Sequence, residues 1–174
     1  EGFKRMEIFK YNTLKVFLEK RTKSLFIHLN RDHQTKNNLI NVETIFELES
    51  LLSWTAQHIE INTIVIQGQN NFFSKGFDLN EFAKLPDKRF QNIIEKFQKV
   101  IYSMFFLPQT IIANLQGGGK GPGLELAIGA DIRIACSKNN ISFDHLKDFF
   151  FFKNIDHFTS HSEKKNNHNF FRLR

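Results

Sequence analysis

One segment constrains the fold of this chain more than any other: the run from Ile111 to Ala127, IIANLQGGGKGPGLELA. It joins an apolar strand signal to a glycine-rich turn and then to a helix start carrying a single acid, Glu125. Glycine lets a backbone approach a ligand closely, and the first turn of a helix presents unsatisfied N–H groups at its positive end. The arrangement suits an anion held against backbone, with the Glu125 carboxyl beside it. The same glycines would also serve an ordinary strand-to-helix connection, and the rest of the chain must decide between the two.

Flanking segments supply the alternation that such a turn needs. Thr13 to Leu18 and Ser24 to Leu29 are apolar runs separated by the charged stretch Glu19 to Lys23, which predicts a hairpin. Asn41 is placed to cap a helix with Val42, Ile45, Phe46, Leu48 and Leu52 at helical spacing. Ile61 to Gln67 is a short buried-strand signal ended by Gly68. After a loop through Ser74 and Asp78, Pro86 and Pro108 bracket a helix with Phe90, Ile93, Ile94, Phe97, Ile101, Met104 and Phe105 on one face. Thr110 to Asn114, Asp131 to Cys136 and Ile141 to Phe143 read as further strands. Strands alternating with helices predict an α/β fold whose ligand loops leave the carboxyl ends of the strands. The Ser74 to Asp78 and Gly117 to Gly123 loops both leave strands in that way, and two backbone donor loops facing one point make an oxyanion hole.

Composition narrows the classes. At 174 residues the chain suits one domain with a real core, and its apolar share of 41% and charged share of 24% are ordinary for a globular protein. The net charge of +6 is spread from Lys4 to Arg174 among acids, without the clustered basic face that nucleic acid needs. No apolar run reaches the ~20 residues of a membrane span. One cysteine, Cys136, precludes an intramolecular disulfide and fits a reducing, cytoplasmic setting as a buried, inert thiol. His157 and His161 have i, i+4 spacing, with His168 beyond, but no acid or cysteine completes a ligand set, so no metal is expected.

At this point the residues resemble the enoyl-CoA hydratase/isomerase, or crotonase, superfamily. Phe73-Ser74-Lys75-Gly76-Phe77-Asp78-Leu79 resembles its first oxyanion-hole loop, and Ile112 to Ala135 its second loop, helix and following strand. Either motif alone is weakly specific; the ordered pair with a helix between is more so, and the likeness covers about Leu14 to Phe143. The resemblance implies a crotonase-like repeated ββα core, 1–148, lacking the usual C-terminal helical part, followed by a divergent, poorly ordered tail, 149–174. It implies an acyl-CoA thioester as substrate, with coenzyme A entering as part of that substrate and no separate cofactor. The Lys75 N–H would polarise the thioester carbonyl, Gly76, Phe77, Asp78, Pro122 and Gly123 would complete the binding loops, and Glu125 would be the acid/base. A homo-oligomer is usual in the family, but the helices that build it have no counterpart here.

Three departures accompany the likeness. The position that supplies the second oxyanion N–H falls on Pro122, and proline has no N–H; Gly121 or Gly123 substitutes only if the turn is reshaped. The position of the second catalytic acid of hydratases falls on Lys147, with Asp144 and Asp148 out of register. With Glu125 alone, isomerisation or thioester hydrolysis is chemically easier than hydration, which needs both a base and an acid. The four phenylalanines Phe149 to Phe152 and the polar stretch to Arg174 depart from the family pattern and read as a premature end or as a piece of a longer product. A catalytically silent acyl-CoA-binding or assembly subunit and a truncated, degenerate product therefore stay open as alternatives.

Overall fold

A computed structural model describes residues 4–31, 38–69, 72–135, 140–142 and 170–172. The hairpin expected from the first apolar runs forms as β2 (Leu14–Glu19) and β3 (Ser24–Leu29), paired antiparallel from Leu14 opposite Leu29 to Glu19 opposite Ser24. Ahead of it, β1 (Arg5–Lys10) adds an antiparallel edge strand. From β3 the direction changes: β4 (Thr63–Gly68), β5 (Thr110–Asn114) and β7 (Ile132–Ile134) follow as parallel neighbours. Within the stretch expected to be a tail, β9 (Phe170–Arg172) pairs antiparallel with β7 and closes the order β1-β2-β3-β4-β5-β7-β9. Cys136, Asp144, Lys147, Asp148, Phe149 to Phe152 and the histidines at 157, 161 and 168 lie outside the described residues.

Two long helices cover the sheet between parallel strands, as right-handed crossovers require. The first, α1 (Val42–Ala56), starts where the Asn41 side chain accepts the Thr44 amide at 2.8 Å. Ile45, Leu48, Leu51 and Leu52 are buried, whereas Phe46, expected on that face, is 47% exposed. A carboxylate, Glu47, is buried with them because the turn at Asn12 and Thr13 needs it: its oxygens accept from both amides and from the Thr13 hydroxyl. After the short helix α2 (Leu79–Phe82), α3 (Asp87–Met104) packs on α1 and buries Ile93, Phe97, Val100, Ile101 and Met104. Phe90 and Phe105, also expected on this face, stay 40% and 56% exposed because they lie at its ends, where the core has fallen away.

The glycine-rich stretch is more than a turn. Gly118–Lys120 form β6, which pairs in parallel with β8 (Asn140–Ser142), and α4 (Pro122–Ile128) follows at once. Among the described residues, no helix is long and apolar enough to cross a membrane.

The cap and the buried carboxylate give separable expectations. Asn41→Ala should cost about 1 kcal/mol, the usual worth of an N-cap. Glu47→Ala should cost more, about 2–3 kcal/mol, because it strands the buried amide and hydroxyl of Thr13 and also releases the part-buried Asn12 amide. Urea denaturation of each variant measures the order, and equal losses would contradict this account of Glu47.

Candidate active site

The two glycine-bearing loops meet because β4 and β5 are neighbours in register, Gln67 opposite Asn114, and both loops leave their carboxyl ends. The contact is made by backbone. Lys120 N donates to Ser74 O at 3.0 Å and Phe73 N to Gly118 O at 3.1 Å, an isolated parallel bridge between Ser74 and Gly119. The start of α4 then presses on the same residue. A Cβ on Gly123 would lie 2.6 Å from Ser74 O and 2.9 Å from Ser74 Oγ, so only glycine fits there. Gly76, at φ +96°, faces the Pro122 ring across a gap that a Cβ would close to 2.8 Å.

The first loop is also fastened from behind. Ser74 Oγ donates to Asn38 O at 2.8 Å and accepts from Gly76 N at 3.1 Å. Ile40 N donates to Gly76 O at 2.8 Å, and Asp78 N to Ile40 O at 2.9 Å. The Asp78 carboxylate takes both guanidinium nitrogens of Arg31 at 3.2 Å, with both side chains buried. Phe77 is buried, stacked on Phe82 with centroids 4.6 Å apart and edge-on to Phe97 at 5.0 Å. Of the residues expected at the site, Gly76, Phe77 and Asp78 thus shape and anchor the loop, while the Lys75 side chain is exposed, its ammonium 5.7 Å from the Phe72 ring centroid.

The amides of Lys75, in the first loop, and Gly123, at the start of α4, have no hydrogen-bond acceptor among the described residues. Pro122 occupies the first helical position, where a missing N–H costs the helix nothing, and Gly123 follows it with an N–H of its own. Glu125 follows on the same first turn, its own amide bonded to Gly121 O at 3.1 Å. It is 4% exposed, and its Oε1 has no hydrogen-bond partner. Burial without a compensating charge pushes its carboxyl up from 4.5 to about 7. The far end of α4 is held by Arg133, whose Nη1 donates to the carbonyls of Ala127, Ile128 and Ala130, and by Asp131, whose carboxylate accepts the Ile111 amide at 2.8 Å. Sequence reasoning did not single out Ser74, Arg31 or Arg133: their partners lie far along the chain or are backbone carbonyls, which leave no residue pattern.

Parallel strands, crossover helices and two glycine-bearing loops meeting at the carboxyl ends define the class of fold. Residues 19–147 match the family model for enoyl-CoA hydratase/isomerase, and the chain belongs to that family. It is 30% identical over 115 residues to a probable enoyl-CoA hydratase of Bacillus subtilis (strain 168), covering 66% of this chain and 45% of the relative. A structure of Pseudomonas aeruginosa DspI superposes with a TM-score of 0.68 at 27% identity, over 78% of this chain and 54% of that one. An enoyl-CoA hydratase from Bacillus anthracis shares the fold at a TM-score of 0.64 and 24% identity, over 78% and 49% of the two chains. The chain spans about half the length of the proteins it matches.

The Glu125 shift has a consequence for stability. The native state holds this proton at pH values where the unfolded chain has released it, so the contribution of this group to stability is greatest at low pH. It falls as pH rises from 4.5 to about 7 and changes no further from this source above that. Glu125→Gln should remove this part of the decline, read as denaturation free energies at about pH 5 and about pH 8. An unchanged slope in the variant would contradict the assignment.

Proposed function

We propose that the chain binds an enoyl thioester of coenzyme A and shifts its double bond, with the amides of Lys75 and Gly123 as the oxyanion hole and Glu125 as the acid/base. One observation carries this reading: a buried carboxyl with an unpartnered oxygen sits on the first turn of the helix whose Gly123 rests on Ser74. Asp78, the other carboxyl of the two loops, is occupied by Arg31, which leaves Glu125 for proton transfer.

Isomerisation suits a single acid. The ionised carboxylate takes a proton from the α-carbon of a 3-enoyl thioester, and the electron pair moves onto the thioester oxygen. Two preorganised N–H groups at that oxygen stabilise the charge as it develops, the role that gives such donors most of their effect. Glu125, now neutral, returns the same proton to the γ-carbon, and the double bond comes to lie beside the carbonyl. No water is consumed and no second acid is needed. A carboxyl poised at about 7 has both forms accessible near neutrality, which is where a group that must take and return a proton works best.

The reaction is followed by the ultraviolet absorbance of the conjugated thioester formed from 3-hexenoyl-CoA. Glu125→Gln should lower the rate by about 10²- to 10⁴-fold, the usual worth of a general acid–base. Lys75→Ala should leave it within about threefold, because the donor is backbone. The wild-type rate should rise with pH around an apparent pKa of about 7. Turnover unaffected by Glu125→Gln would refute the mechanism, and tight binding with no turnover would leave a thioester-binding protein only.

A further inference from the structure

We infer that the opposite end of the sheet carries a second ligand site, an apolar cleft for a small carboxylate with an alkyl or aromatic body. The cleft, of about 460 Å³, lies between β1, the end of β2 and the segment that follows α1. Its lining includes Lys23 and Ile61, which precede the amino ends of β3 and β4, whereas Glu125 and the donor loops gather at the carboxyl ends. The six residues of β4 place the two ends about 16 Å apart. The volume falls in the ordinary range for small-molecule sites.

The walls are built rather than incidental. In the pairing of β1 with β2, Glu7 faces Phe17 and Phe9 faces Val16, so Ile8 is an extra residue, a β-bulge. The bulge breaks the alternation that would send Ile8 and Phe9 to opposite faces, and both line the cleft, with Leu18 from β2. Trp54 forms the back wall and is clamped: the Phe9 ring meets it edge-on at 4.9 Å, and the His58 ring stacks on it at 3.7 Å. The His58 ring is itself fixed by a hydrogen bond from Nδ1 to Trp54 O at 2.8 Å. An apolar body entering here meets rigid aromatic and aliphatic surface and pays little ordering entropy.

The rim sets the charge of the ligand. Lys20 and Lys23, both exposed in the β2–β3 turn, stand over the cleft against one acid, Glu60. An anionic head at the mouth with the apolar body inside satisfies both features, whereas a cation would meet two ammonium groups. This site is independent of the thioester reading and would take free carboxylate while the thioester site acts separately.

Trp54 is the only tryptophan of the chain, so its fluorescence reports on the cleft directly. Titration of the full chain with octanoate should give a saturable change. The Lys20→Glu/Lys23→Glu double variant should weaken octanoate by about fivefold or more, the scale of exposed ion pairs, and leave octan-1-ol unaffected. Glu125→Gln should bind octanoate as the wild type does. Absence of a saturable change, equal octanoate affinity in the lysine variant, or a signal that follows protein concentration without octanoate, marking a second copy on the cleft, would overturn the inference.

Discussion

Everything at the candidate site depends on how closely two backbones approach at Ser74. Its carbonyl accepts Lys120 N from the glycine-rich strand, its hydroxyl ties the loop to Asn38 and Gly76, and its side chain fills the space that a Cβ on Gly123 would need. Neighbouring parallel strands bring the loops to the same edge, and only glycine at position 123 lets the start of α4 come down on Ser74. The two segments joined by this approach carry the amides of Lys75 and Gly123, which have no acceptor among the described residues. The approach also buries the first turn of α4, and with it Glu125.

Burial of that turn is what turns an ordinary glutamate into a group of mixed protonation. A carboxyl in water ionises near 4.5, but Glu125 gains neither a cation nor a donor for Oε1 and is held at about 7 by desolvation. Helix α4 has only seven residues, too few to hold itself in place. Its start is fixed by Gly123 on Ser74 and its end by the Arg133 guanidinium on three carbonyls, so the Glu125 carboxyl is positioned from both sides.

Much of this was legible in the sequence, for reasons that differ from residue to residue. The strands β2 to β5 announce themselves by apolar runs, and the Asn41 cap by residue type and spacing. The strand β1 was not, because its bulge at Ile8 breaks the two-residue period and charges fill Arg5–Lys10. Gly118–Lys120 read as turn because glycine carries no side-chain signal, and only its pairing with β8 makes it a strand. Pro122 at the expected donor position pointed to a lost N–H, while the start of α4 leaves the Gly123 amide free one residue on. The 47 residues separating Arg31 from Asp78 place that anchor beyond any local pattern.

The central claim, that the two free amides converge on a thioester oxygen, is tested most directly by the infrared carbonyl stretch of ¹³C-labelled butyryl-CoA, which binds but cannot react. Two N–H donors at the oxygen weaken the C=O bond, so the labelled band should move to lower frequency on binding, and do so equally in Lys75→Ala. A band that stays at its solution position in a saturated complex would contradict the account.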